Sequence, residues 1–370
     1  MSELTQTDYL NGKHPVRVLS VDDSAFFRKV LAEILGHDAS IQLVGCASDP
    51  YDARDRLLAL PVDVLTLDLE LPRMSGLTFL KLIMERKPMP VIVLSSSTPT
   101  GSKKAVEALI AGAFAVIEKP ENLAQDRSFG EKLIKGIKMA AAAPLRRPRP
   151  ALLNRCLPAQ TTLVPAFNSR QIVALGASTG GTQALEEVLT MLPSTLPGIV
   201  VVQHIPAGFS TSFAARLNQA CSMEVREAKD GDVVRHGLAL IAPGDRHMEV
   251  QWVRDHYRVH LHSGPPVEHQ RPSVNVLFQS LARCAGSYTV AVLLTGMGRD
   301  GADGMKQLHD LQAYTIAQDA DTSVVYGMAR KAVELHAINA IVPLENIAGE
   351  IIQALETQSK RNRSTTCANK

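Results

Sequence analysis

The chain is 370 residues long, 45% hydrophobic and 21% charged, the balance of a globular protein with length enough for two cores of ordinary size. Its 39 basic residues against 37 acidic leave a formal net charge of +2, so no overall basic field points to nucleic acid. No run of about 18 apolar residues is available to span a membrane, and Met1–His14 lacks the apolar centre of a secretory signal. Five cysteines (Cys46, Cys156, Cys221, Cys284 and Cys367) are scattered without a CxxC pair. That argues against a disulfide framework or a zinc site and makes a cytoplasmic location the default expectation.

In chain order, apolar runs at Val16–Val21, Ile41–Cys46, Val62–Leu67, Val91–Leu94 and Phe114–Ile117 predict five strands. Amphipathic stretches between them, such as Phe26–Leu35 with Gly36 as a stop signal, predict helices. Residues 15–138 are therefore expected to form a doubly wound, five-stranded parallel α/β domain that binds ligands beyond the carboxyl ends of its strands. Residues 139–168 break the pattern with five prolines and four arginines and predict a semi-rigid, solvated linker. After it, Ile172–Leu175, Ile199–Val202 and Val290–Leu294 read as buried strands, each followed by a helix signal. Between them Glu224–Val225, Leu238–Ala242, Met248–Val253 and Arg258–His262 make a strand-rich middle. Residues 169–356 thus predict a second α/β domain, a mostly parallel sheet with an antiparallel excursion. The end of the chain, 357–370, is polar and is expected to be disordered.

Several polar residues fall at the carboxyl ends of the first five strands. Asp22 and Asp23 follow the first, Asp68 ends the third, Ser95 closes the fourth and Lys119 the fifth. Three clustered carboxylates repel one another and call for a cation, and hard oxygen ligands with open positions suit Mg²⁺. A carboxylate beside Mg²⁺ can attack a phosphoryl donor to give an aspartyl phosphate. With VDDS at 21–24, LDLELPRMSG at 67–76 and EKP at 118–120, the segment resembles response-regulator receiver domains. That resemblance implies Asp68 as phospho-acceptor, Mg²⁺ held by Asp23, Asp68 and the Glu70 carbonyl with help from Asp22, and phosphoryl contacts from Ser95 and Lys119. It also implies a cis Lys119–Pro120 bond. Val116 departs from it, standing where many receivers carry a switching aromatic.

The second domain opens with a strand followed by Gly176-Ala177-Ser178-Thr179-Gly180-Gly181. Glycines around a serine at a strand-to-helix turn permit dihedrals that expose the hydroxyl, and the helix start aims N–H groups at any oxyanion formed there. A dinucleotide fingerprint is the rival reading, but it wants glycine at 178 and an acidic residue at the end of the next strand. Instead His204 follows the strand Ile199–Val202, and Asp300 lies in LTGMGRDG after Val290–Leu294. Ser178, His204 and Asp300 would lie along one crevice in the order Ser, His, Asp, which is admissible because triads are defined by geometry rather than order. The other histidines fall in the strand-rich middle or on helices.

GASTGGTQAL, VVQHIPAGFSTSFAARL, LIAPGDRHM, RPSVNVLF, LTGMGRDGADGM and TIAQDADTSVVYGMAR resemble the chemotaxis protein-glutamate methylesterases, the CheB family, over about residues 170–350. The resemblance implies hydrolysis of glutamate γ-methyl esters on chemoreceptors and deamidation of particular glutamines. Ser178 would be the nucleophile, His204 the base and Asp300 its orienting partner, with the Thr179 and Met297 N–H groups as oxyanion donors and no cofactor for the esterase step. It further implies a chemotaxis histidine kinase as phosphodonor and a receiver that restricts the esterase until phosphorylated. Asn275 stands where that family commonly has aspartate, and lying away from the triad motifs it is expected to matter little. A DNA-binding output lacks any basic recognition helix here, and a non-catalytic receptor-binding module would be distinguished by failure to hydrolyse an ester.

Overall fold

The computed structural model describes residues 14–96, 98–120, 127–143 and 167–368. The chain divides into two compact units, Met1–Pro150 and Ala151–Lys370.

In the first unit the strands are β1 (Val16–Val21), β2 (Ile41–Ala47), β3 (Val64–Asp68), β4 (Val91–Ser95) and β5 (Ala115–Glu118). They alternate with α1 (Ala25–Gly36), α2 (Pro50–Ala59), α3 (Gly76–Arg86), α4 (Pro99–Ile110) and α5 (Arg127–Ala142). All strand pairs are parallel and the order is β2-β1-β3-β4-β5, so the order reverses at β1. The crevice between β1 and β3 is therefore where a ligand site belongs. Local chemistry sets the helix starts. Ser24 accepts the Phe27 N–H, while Asp49 accepts those of Tyr51 and Asp52 with Pro50 in the first turn. Every residue of β3 and β4 is buried, as expected of strands covered on both faces. Phe27 meets Phe129 edge-to-face at 6.0 Å, joining α1 to α5.

The second unit holds a seven-stranded sheet in the order β15-β14-β13-β6-β7-β10-β8. In chain order these are β6 (Ile172–Ala177), β7 (Ile199–Gln203), β8 (Glu224–Glu227), β10 (Leu238–Ile241), β13 (Thr289–Leu293), β14 (Tyr314–Gln318) and β15 (Ala340–Val342). Every pairing is parallel. The antiparallel excursion is a separate sheet of β9 (Val233–Val234), β11 (His247–Val253) and β12 (His256–His262), with β12 in the middle. The strand-rich middle thus divides, two of its strands extending the parallel sheet. Helix α8 (Val274–Cys284) packs on β11 and β6, and Phe278, Leu281, Val250, Tyr257 and Leu293 share one core. The remaining helices are α6 (Gly181–Met191), α7 (Phe209–Ala220), α9 (Ala302–Asp310), α10 (Met328–Glu334) and α11 (Leu344–Ala368).

Three expectations are corrected. The Lys119–Pro120 bond is not cis; among the described residues the cis bond is Arg271–Pro272. Trans and cis X–Pro differ by only about 0.5–1 kcal/mol, so tertiary surroundings select the isomer. Helix α5 runs to Ala142, four residues past the expected boundary at 138, carried by the helix-forming run Met139–Ala142. The polar end is helical to Ala368 as the continuation of α11, whose Ile347, Ile351 and Leu355 are fully buried. Gln358 donates to the Thr289 carbonyl and Ser359 to Gln171 Oε1, anchoring the helix past Leu355. The segment 144–166, most of the expected linker, lies outside the described residues.

Candidate active site and acidic pocket

The acidic pocket lies at the carboxyl ends of β1 and β3. Oxygens of Asp22, Asp23 and Asp68 come within 4.8 Å of one another, with Asp22 and Asp68 buried and Asp23 exposed. Lys119, at the end of β5, donates to Asp22 Oδ2 at 2.6 Å and to Asp68 Oδ2 at 2.5 Å. Its Nζ also sits 4.4 Å from the centre of the Phe27 ring. Their other oxygens are held by backbone: Ser24 N–H donates to Asp22 Oδ1 and Glu70 N–H to Asp68 Oδ1. Burial raises the Asp22 pKa, against the opposing pull of Lys119. Burial acts to lower the Lys119 pKa, but Asp68 and Asp22 outweigh it and the net shift is upward. Ser95 is buried at the end of β4, and its carbonyl accepts the Lys119 N–H. Three carboxylates opposed by a single ammonium make an oxygen-rich, net-negative set that fits a hard divalent cation such as Mg²⁺.

The serine site is built at the switch point of the seven-stranded sheet, where β6 separates β13 from β7. Ser178 follows β6 directly, its N–H donating to the Thr295 carbonyl at 3.0 Å. Gly180, with φ 75°, makes the sharp entry into α6, and Gly296 lets the loop after β13 lie on Ser178. A Cβ at 296 would fall 2.7 Å from Ser178 Cβ. His204 follows β7, and its N–H donates to the Ala177 carbonyl, locking the two strand ends together. His204 Nδ1 stands 3.0 Å from Ser178 Oγ, and His204 Nε2 stands 2.7 Å from Asp300 Oδ2. Side chains of His204 and Asp300 are 6% and 3% exposed, so the contact between them is shielded from water, while Ser178 is half-buried.

Asp300 decides the tautomer. Burial alone would raise its pKa, but hydrogen bonds from His204, the Asn275 N–H and Ser273 hold it below the usual carboxylate value. An ionised carboxylate can only accept, so the proton between it and the imidazole sits on Nε2. The lone pair of Nδ1 then faces Ser178 Oγ, and Nδ1 is the nitrogen placed to take the serine proton. Neither the Thr179 nor the Met297 N–H finds a protein acceptor among the described residues. Thr179 is further fixed by its carbonyl, which accepts the Thr295 hydroxyl at 2.9 Å.

Sequence reasoning missed the cradle around Asp300. Ser273 Oγ donates to Oδ1 at 2.7 Å, Val274 N–H to Oδ2 at 2.7 Å and Asn275 N–H to Oδ1 at 2.9 Å. These groups begin α8, whose N-cap is Ser273, so the helix start serves as a built-in anion site. Asn275 is therefore not remote from the triad residues: it touches Asp300 through its backbone and accepts the Gly304 N–H at 2.9 Å through Oδ1. The available signal was the capping serine of RPSVN ahead of an apolar helical run.

Comparison with known proteins adds a family to this geometry. The family model described as CheB methylesterase matches residues 173–351, and the response regulator receiver domain model matches 18–127. A Pseudomonas aeruginosa protein named protein-glutamate methylesterase/protein-glutamine glutaminase 2 is 46% identical over 94% of this chain and 99% of its own. The Salmonella typhi protein-glutamate methylesterase/protein-glutamine glutaminase is 42% identical over 91% of this chain and 96% of its own. This chain belongs to the CheB methylesterase family. The crystal structure of the Thermotoga maritima CheB methylesterase catalytic domain is 35% identical, covering 50% of this chain and 98% of that one, with a TM-score of 0.49. The receiver match makes this member of the CheB family a response regulator as well, its receiver and methylesterase regions in the order expected from the motifs.

Proposed function

We propose that this protein is a phosphorylation-regulated serine hydrolase that removes methyl groups from glutamate γ-methyl esters of chemoreceptors and deamidates specific glutamines there, serving chemotaxis adaptation. Its receiver would occupy 15–138, extended to Ala142 by the end of α5, and its catalytic domain 169–356, with α11 continuing beyond it. The observation that carries the reading is the hydrogen-bonded line from Ser178 Oγ, which is half-buried, through His204 to Asp300, at 3.0 and 2.7 Å. Ser178 Oγ attacks the ester carbonyl as its proton passes to His204 Nδ1, and Asp300 stabilises the imidazolium through Nε2–H. The oxyanion forms against the N–H groups of Thr179 and Met297, each worth about 3 kcal/mol in the transition state. His204 returns the proton to the departing methoxide, giving methanol. It then deprotonates water, which cleaves the acyl-enzyme to glutamate and restores the Ser178 hydroxyl. A glutamine substrate follows the same steps with ammonia as leaving group.

In the receiver, Asp68 would take the phosphoryl group from a chemotaxis histidine kinase. Asp22, Asp23, Asp68 and the Glu70 carbonyl would hold Mg²⁺, which neutralises charge as the phosphoryl group arrives, while Ser95 and Lys119 contact its oxygens. No described helix is long and apolar enough to cross a membrane. The reading places the enzyme in the cytoplasm with its kinase and the receptor segments it acts on. The test is methanol release from methylated receptor membranes, with and without acetyl phosphate and Mg²⁺. Release that rises with the phosphodonor is expected; no release under either condition would overturn the reading.

A further inference from the structure

At the end of β7, beside the base, Gln203 is 3% exposed. Its Nε2 donates to two carbonyls at once, that of Ser178 at 2.8 Å and that of His204 at 3.1 Å. One amide nitrogen thus bridges the backbone of the nucleophile to the backbone of the base. The orientation of the amide is not interchangeable, because a flipped group would press Oε1 against two carbonyl oxygens. Oε1 is buried without a protein partner among the described residues, and it lies against Gly181, where a Cβ would come within 2.2 Å. A buried acceptor left unpaired is destabilising, and an apolar side chain of the same length would avoid it. What sets the amide apart from such a side chain is its donor end and the two carbonyls that it meets.

We propose that Gln203 is a positioning residue for the reaction: its Nε2 ties the Ser178 turn to His204 and so sets the separation of Oγ and Nδ1. The inference rests on the serine mechanism proposed above. Gly181 N–H also donates to the Ser178 carbonyl, so removing Gln203 leaves the turn formed but removes the bridge from the Ser178 carbonyl to the His204 carbonyl. Small errors in such a separation are costly in rate, because acyl transfer needs the reacting groups already aligned. The Ala177–His204 backbone bond holds the strand ends and resists unfolding, so the loss falls on alignment rather than on the fold.

The test uses the full chain and methylated receptor membranes, with Ser178→Ala as reference. Gln203→Met keeps length and volume but removes both donors. It is expected to lower kcat about tenfold to a hundredfold, with KM within about twofold and an unchanged melting temperature. Gln203→Glu supplies a second readout should the Met variant fold poorly. Its carboxylate faces two carbonyls at high pH, whereas its protonated form can donate to one. Burial raises such a pKa, so the deficit relative to wild type is expected to narrow as pH falls from about 8 to about 6. A merely structural role would not produce that pH dependence. Wild-type kcat in either folded variant, or a Glu deficit that is flat with pH, would overturn the proposal. If instead Ser178→Ala stayed active, the serine mechanism itself would fail, and the two failures are distinguishable.

Discussion

The two units place their chemistry at the same position in the same kind of sheet, beyond the carboxyl ends of parallel strands at a switch point, yet the sites are balanced in opposite ways. The acidic pocket sets three carboxylates against Lys119, and its exposed member, Asp23, leaves it open to a cation. The serine site carries one buried carboxylate, Asp300, met by four donors from His204, Ser273, Val274 and Asn275. The first is built to gain ligands and change; the second is arranged before any substrate arrives. A switch needs unspent interactions, whereas catalysis needs donors fixed in advance.

That contrast can be broken at its strongest point first. Asp300→Asn should favour the wrong imidazole tautomer and set an amide donor against one of the backbone N–H groups that Asp300 now accepts, lowering kcat by about 10³–10⁴ in the methanol assay. On the other side, Asp68→Asn should leave the unstimulated rate unchanged and abolish activation by acetyl phosphate with Mg²⁺. About tenfold activation requires only about 1.4 kcal/mol of differential stability between states, within reach of one phosphoryl group. A variant that is still activated would remove Asp68 from the switch.

Smaller effects sharpen the comparison. Ser273→Ala removes one of the four donors to Asp300 and should lower kcat about tenfold. It should also raise the depressed Asp300 pKa. A carboxylate depressed in the folded state stabilises it above the unfolded pKa, and that stability is lost as pH falls through the folded value. The acid limb of unfolding, followed by circular dichroism, is therefore expected to move to higher pH by less than about one unit. Asn275→Asp preserves the oxygen that accepts from Gly304 and the backbone donor to Asp300, so activity should stay within about twofold of wild type. A large loss there would mean that the neutral amide is needed beside Asp300.

The layout of both sheets was legible because strands buried on both faces read as near-continuous apolar runs: Val16–Val21, interrupted by Arg17 and Ser20, is bounded identically in sequence and structure. Tyr314–Gln318 was not, because its apolar residues are interrupted by Thr315 and bounded by Gln318, and Ala340–Val342, at the sheet edge, is only three residues long. Ser178, His204 and Asp300 could be aligned in advance because each follows a strand, and strand ends converge by topology. The cradle of Asp300 could not, since two of its three members are backbone N–H groups 25 and 26 residues away, which carry no side-chain signature. Gln203 was hidden for a related reason: its partners are main-chain carbonyls.

The most direct test of the serine site is a double-mutant cycle on methanol release with Ser178→Ala, His204→Ala and the pair together. Residues acting as one unit lose their rate once, so the double variant should be scarcely slower than either single variant, each being down by several orders of magnitude. Losses that multiply, or a Ser178→Ala protein that retains near-wild-type activity, would contradict the account.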